Sequence, residues 1–380
     1  MVNTPSYYRV EPYGNSDSFD VTINGVTKTV NAQASDTLDF YFPEGYIDLT
    51  SLAMMFKYIN IGTLVGTSQA LSKDTECLID RLEVFLGDTQ IHDIRNYNQI
   101  FYILSMYAFP PEFATQRAIY KNLYTNGRPA IVTTLDGIRF CMDKWLGLLG
   151  EDIVLDTKTL GRLHIRLTLG GINVTTSNPI TNSWGMTDIY MKAKYYENYD
   201  GDLPTKIEFE NFKSLKQQKS SMRQRSTFIM NCKQLDYVLA RPLYSLHNVK
   251  NIAFQNNIGT TYWFVTSGEF LSTWNILINN NPIFKYRPDN QDALSSMGDL
   301  FPNGCRNLAV APTDETGAFN RAWCAGCEVG FVNEAGEQIE ITFVTEALGA
   351  GITTVCYPLI IGKCTSTIEV KKGGGMEFTL

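Results

Sequence analysis

Three histidines, one Cys-x-x-Cys pair and one lysine-rich run are the residues of this 380-residue chain whose types and spacing could do chemistry. His92, His164 and His247 are its only histidines. Hydrolytic catalysis would need one of them beside a nucleophile and an acid, and the sequence holds no Gly-x-Ser-x-Gly elbow. His164 points outward from an alternating strand, His92 follows a strand turn, and His247 sits in a Ser-Leu-His-Asn stretch. All three read as surface or structural side chains. Cys324-Ala325-Gly326-Cys327 has the spacing of half a zinc site or of a redox pair. Zinc needs two further ligands at comparable spacing, whereas Cys305, Cys356 and Cys364 stand singly, so buried thiols are expected.

Phosphate chemistry fails a similar test. Gly362-Lys363 is followed by Cys364 rather than Ser or Thr, and Tyr357 stands where a phosphate loop has its first glycine. Glu151-Asp152 is a loop pair with the character of solvated charge. Asn173-Val174-Thr175 fits a glycosylation pattern but follows no secretory signal, and it is set aside. No catalytic set, metal set or cofactor motif emerges. Lys213–Arg225 holds Lys213, Lys216, Lys219, Arg223 and Arg225 with no acid. Nucleic acid or anionic lipid would suit such a run. Aromatics are not interleaved beyond Phe212, and a solvated inter-domain segment is the expectation.

The elements that must position these residues are mostly strands. Apolar residues make up 44% and charged residues 19%, with 20 Tyr and 21 Phe, a β-leaning packed composition. The net charge of −7 and an N-terminal segment with Arg9 as its only base argue against a genome-neutralising arm. Eight scattered cysteines fit reduced thiols. No apolar run approaches the roughly 18 residues of a membrane span.

One stretch occurs twice. Leu82–Pro110 and Trp274–Pro302 align without a gap at an offset of 192 residues, with six identities in 29 positions. Ile91, Arg95, Asn98-Gln99 and Phe109-Pro110 match Ile283, Arg287, Asn290-Gln291 and Phe301-Pro302. The order of parts is shared: alternating strand, polar turn, helix-like run, Phe-Pro stop. The helices are expected at Asn96–Ala108 and Asn290–Leu300. Ala114–Asn126 is a further helical segment. Such a period exceeds a solenoid repeat and signals two related domains.

Period-two alternation places strands at Thr37–Phe42, Leu49–Ile61, Leu78–Leu86, Ala130–Leu135, Ile138–Met142, Ile153–Leu155, Arg162–Leu169 and Asp188–Tyr195. Asn24-Gly25 turns a hairpin over Ser18–Val30. After a break at Tyr196–Pro204 come Thr227–Cys232, Val249–Phe254, Tyr262–Val265, Thr273–Ile278, Val329–Val332, Gln338–Val344, Leu359–Ile361 and Thr367–Val370. The closing strands, matched at Leu163 and Ile339, are 176 residues apart, so the second half has lost about sixteen residues of loop. The expected organisation is an N-terminal arm (1–17), a first domain (18–205) and a second (206–380). The expected fold class is all-β, two tandem eight-stranded antiparallel jelly rolls with short helices in the loops.

Thr75–Leu104 (TECLIDRLEVFLGDTQIHDIRNYNQIFYIL) and the closing pair GRLHIRLTLGG…MTDIYMKAKYYE within Gly161–Glu197 resemble the first barrel of double jelly-roll major capsid proteins. Phe228–Cys232 resembles the entry to their second barrel. The resemblance covers most of residues 35–380. It implies a homotrimer whose six barrels form a pseudo-hexagonal capsomer in an icosahedral virion. Neighbouring capsomers and penton or minor capsid proteins would be partners. The arm Met1–Asp17 and the lower loops would meet the interior, and the inner face would be where an inner membrane or the genome is contacted. It implies no enzyme, no cofactor and no small-molecule substrate. The Tyr- and Asn-rich loops Thr125-Asn126, Asn173–Trp184 and Asn256–Tyr262 are candidate contact loops. The other reading is a two-domain β-sandwich that binds or cleaves carbohydrate, with Trp184, Trp263 and Trp274 as possible stacking platforms.

Overall fold

The computed structural model describes residues 4–13, 18–23, 26–61, 69–70, 75–110, 124–125, 128–129, 131–132, 138–171, 176–177, 184–217, 223–244, 271–303, 324–332, 338–347, 356–371 and 374–380. The strands expected at Val249–Phe254 and Tyr262–Val265, His247, and most of Ala114–Asn126 and of the three candidate loops lie outside them. The chain falls into two compact units. One comprises Met1–Asn98, Arg117–Asn211 and Ser366–Thr379; the other comprises Gln99–Gln116, Phe212–Thr365 and Leu380.

The first jelly roll begins with β1 (Ser6–Val10) and a hairpin of β2 (Phe19–Ile23) and β3 (Val26–Val30). Next come β4 (Thr37–Tyr41), β5 (Tyr46–Asn60), β6 (Ile79–Leu86), β7 (Thr89–Arg95) and helix α1 (Tyr97–Tyr107). It closes with β8 (Ile138–Met142), β9 (Leu163–Leu169) and β10 (Trp184–Tyr196). Two antiparallel sheets result, ordered β1-β10-β5-β8 and β4-β9-β6-β7. Alternation drives this: Leu163, Ile165, Leu167 and Leu169 of β9 are buried, while His164, Arg166 and Thr168 take the other face. In the hairpin, Ile23 faces Val26, so Asn24-Gly25 is its two-residue connection, as that dipeptide dictates.

Within the arm read at 1–17, the described residues include an edge strand. Ser6–Val10 pairs with β10 over five residues, and the Tyr13 N–H then donates to the Asp39 carbonyl of β4 at 2.7 Å. Its alternation is invisible because an edge strand exposed on both faces, as Ser6–Tyr8 and Arg9 are, needs none.

The second jelly roll repeats the plan. Its strands are β11 (Lys206–Lys216), β12 (Arg223–Met230), β13 (Gln234–Tyr244), β14 (Leu271–Ile278) and β15 (Asn281–Pro282). Helix α2 (Asn290–Leu300) precedes β16 (Ala325–Val332), β17 (Ile339–Ala347) and β18 (Cys356–Val370), against which β19 (Met376–Thr379) adds an outer strand. The sheet orders are β11-β18-β13-β16 and β12-β17-β14-β15, position for position those of the first. Met230, Val238, Trp274, Ile276, Ala325, Ile341, Phe343 and Ile360, drawn from both sheets, pack in one core. Three expectations change here. The basic run is not a linker, since Lys213 and Lys216 lie on β11 and Arg225 on β12. β13, whose run holds Arg241 and Pro242, was not expected as a strand, and Leu359–Ile361 and Thr367–Val370 are one continuous strand.

Register locates the duplication. Ile278 faces Asn281 across Asn279-Asn280, as Leu86 faces Thr89 across Gly87-Asp88, so the two-residue turns coincide. Both asparagines have positive φ, as does Gly87, which suits these residue types. Leu86 pairs with Leu163, and Ile278 pairs with Ile341. The matching partners are therefore Leu163 and Ile341, 178 residues apart, not the 176 expected from Ile339. Fourteen residues are lost, the difference between offsets of 192 and 178. A second echo, unread in the sequence, joins β5 to β10 and β13 to β18. Asp48 meets Lys194 at 3.7 Å and Asp236 meets Lys363 at 2.8 Å, each beside a register shift in its ladder.

Candidate functional site

His92 is buried in a polar lock. Its Nε2 accepts the Leu148 N–H at 2.8 Å, so its Nδ1 carries the proton and donates to Asn211 Oδ1 at 3.2 Å. Asn211 in turn donates to Ser366 Oγ at 3.1 Å. Gly147, at φ +71°, lies so close that a Cβ there would sit 2.4 Å from His92 Cε1. The ring is a structural crosslink with no room for a substrate. His164 is held on the outer sheet face between Tyr41 and Phe85, at ring distances of 4.1 and 4.9 Å, with Nε2 2.6 Å from Asp39 Oδ1.

The Cys-x-x-Cys pair does not converge. An odd spacing along extended backbone sends the two side chains to opposite faces. Cys324 donates to the Ala240 carbonyl at 3.6 Å, and Cys327 is hydrogen-bonded at the Val238 backbone. Burial pushes both thiols up to about 12. Among the described residues no group of three or more His, Cys, Asp or Glu side chains is placed to hold a metal ion. Gly362-Lys363 lies inside β18, where Met230 Sδ would be 2.5 Å from any Cβ on Gly362 and Lys363 is spent on Asp236. Glu151 and Asp152 follow the turn Gly147–Gly150, Asp152 exposed and Glu151 half-buried.

What remains is surface. The outer face of β4-β9-β6-β7 carries a ladder of opposed charges. Arg166 meets Asp39 at 2.8 Å, and Arg81 meets Asp93 at 2.6 Å and Glu83 at 3.1 Å. The equivalent face of β12-β17-β14-β15 presents Thr227, Ile229, Thr342, Val344, Asn275 and Leu277, with Arg225–Glu340 as a peripheral pair at 3.6 Å. Exposed apolar residues at one end of this jelly roll are Ile229, Phe331 and Val332.

Antiparallel pairing also sorts the connections by end. In the first jelly roll 11–36, 61–78, 96–137 and 170–183 leave from one end, and 42–45, 87–88 and 143–162 from the other. In the second, 217–222, 245–270, 283–324 and 348–355 oppose 231–233, 279–280 and 333–338. One end of each carries the longest connection, 96–137 in the first and 283–324 in the second.

No protein-family description and no curated relative matches the sequence. Solved structures do match. PBCV-1 VP54, fitted into a reconstruction of the virophage Sputnik, aligns with a TM-score of 0.64 at 10% identity, covering 100% of this chain and 98% of that one. The mavirus major capsid protein aligns at 0.58 and 11% identity, covering 98% and 90%. The Faustovirus major capsid protein aligns at 0.59 and 8%, covering 97% and 91%. The fold is the double jelly roll of viral major capsid proteins. In this double jelly roll both tryptophans tested as sugar platforms are core residues: Trp184 and Trp274 are 0% and 2% exposed. The third, Trp263, lies outside the described residues. Sequence reasoning found the double jelly roll through its repeat but missed β1, β7, β11, β13, β15 and β19, because β13 carries a buried Arg241 and the others lie at the edges of their sheets.

Proposed function

We propose that this chain is a major capsid protein whose homotrimers are pseudo-hexameric capsomers of an icosahedral viral shell. The observation that carries the reading is the presence of two complete jelly rolls, with identical strand orders, in one chain that spans nearly the whole of several capsid proteins. Three copies supply six barrels, so a closed three-fold assembly fills a six-fold footprint. The chain's work is then done by interfaces rather than by a reaction centre. Segments 18–205 and 206–380 are the two barrels, with 1–17 contributing an edge strand to the first. Neighbouring capsomers, penton or minor capsid proteins, and an inner membrane or the genome are the partners on this reading, and the virion is its location. The long-connection ends suit the outer surface, where loop variation leaves the sheets intact.

Purified protein tests this directly. Light scattering should give three chains per particle, and negative-stain images should show hexagonal outlines. A monodisperse monomer or dimer at micromolar concentration would exclude the trimeric capsomer.

A further inference from the structure

We propose that Cys232 and Cys364 form a disulfide when a small-molecule disulfide reaches them, making a redox-closed staple inside the second jelly roll. Cys232 lies in the three-residue connection 231–233 between β12 and β13, and Cys364 lies on β18 opposite Leu235 of β13. The two are 132 positions apart and belong to the same buried core cluster. Their side chains are hydrogen-bonded to one another, and both are reduced thiols. The β13–β18 ladder places Cys364 beside the connection that holds Cys232, and the two side chains share one core.

The environment gives the sulfurs different roles. The Cys364 S–H donates to Cys232, which holds the Cys232 thiol below its ordinary range despite burial. The same hydrogen bond, with burial, pushes Cys364 up. Cys232 is 5% exposed and Cys364 0%. Cys232 is therefore the entry sulfur. Its thiolate attacks one sulfur of a disulfide such as oxidised glutathione, forming a mixed disulfide and releasing one thiol. Cys364, having lost its proton, then attacks the Cys232 sulfur and expels the second thiol. Two protein thiols are oxidised by two electrons, one disulfide is reduced to two thiols, and the two protons end on the released thiols. Cys324 and Cys327, three positions apart, are hydrogen-bonded instead at the Ala240 and Val238 backbones. On the shell reading, closure follows release of particles into an oxidising medium; the chemistry itself does not depend on that reading.

The test uses the folded full chain with oxidised glutathione, followed by alkylation, digestion without reductant and mass mapping. One bridged species linking the Cys232 and Cys364 peptides is expected, reversed by dithiothreitol and unaffected by Cys324→Ser. The unfolding midpoint should rise by about 5–10 °C. In Cys232→Ser, Cys364 should take up no glutathione. Glutathione retained on Cys232 without a bridge, a bridge between Cys324 and Cys327, or both thiols fully alkylated would each overturn the proposal. Because the first readout uses the unsubstituted chain, a variant that misfolds does not blunt it.

Discussion

At equivalent positions the first jelly roll buries Leu82 against Leu167, and the second buries Trp274 against Thr345. The next pair is Val84 with Ile165 in one and Ile276 with Phe343 in the other. A large–small pair in one barrel replaces a medium–medium pair in its twin. Volume is shared across the ladder rather than kept at each site, which is how close-packed cores tolerate divergence. The outer faces of the same sheets diverge differently. The first is finished with opposed charges that satisfy one another, and the second with threonine and aliphatic side chains and an exposed Ile229. On the capsid reading, such neutral faces and the apolar corner at Phe331 and Val332 are where a neighbouring chain gains most from burial. The edge strands differ as well. β1 has only Val10 half-buried, whereas β11 buries Ile207, Phe209, Asn211 and Phe212.

The largest expected effect breaks the core comparison. Trp274→Ala should cost about 3–5 kcal/mol, as an unfilled cavity does, and also removes the Nε1–H donation to the Asp289 carbonyl beside α2. Thr345→Leu alone should overpack by about 1–3 kcal/mol, and Trp274→Leu should recover part of that loss. Urea unfolding of the four chains of this cycle measures it; strict additivity would mean the two residues do not share a volume.

An edge-strand comparison comes next. Phe209→Ala should cost about 3–5 kcal/mol, because its ring packs edge-on to His92 and stacks on Phe378. Removing residues 1–10 should cost only about 1–2 kcal/mol, the worth of a few exposed ladder bonds. Equal losses in denaturant unfolding would show that β1 is anchored as firmly as β11.

The last comparison concerns the duplicated carboxylates and is read against pH. Burial opposes ionisation of Asp236, but hydrogen bonds from Lys363, Thr365 and Gln234 and the Lys363 charge outweigh it and lower its pKa. A carboxyl whose folded pKa is depressed adds stability above its unfolded value, near 4, and loses it as pH falls towards the lower folded value. Asp236→Asn should therefore cost about 1–3 kcal/mol at neutral pH and flatten the acid limb of the stability curve below about pH 4. An unchanged acid limb would remove Asp236 as its source.

How much of this was legible depends on which residues carry the signal. Where one face of a strand meets the core and the other meets water, as in Leu163–Leu169, period two is written into the chain. The duplicated strand–turn–helix stretch survived because Leu82, Val84 and Leu86 and their counterparts are all buried, and both helices end at Phe-Pro. Those features determined the all-β class and the jelly-roll reading. Tertiary structure decided the rest. β1 is exposed on both faces up to Val10, which leaves no pattern of buried side chains. The lysines of β11 looked like a linker because residues 213–216, at the end of this edge strand, are half-buried or exposed and do not alternate. His92 owes its burial to Leu148 and Asn211, and Cys232 its partner to a strand 132 positions away. Side chains that meet across sheets obey no local period, so only the folded chain brings them together.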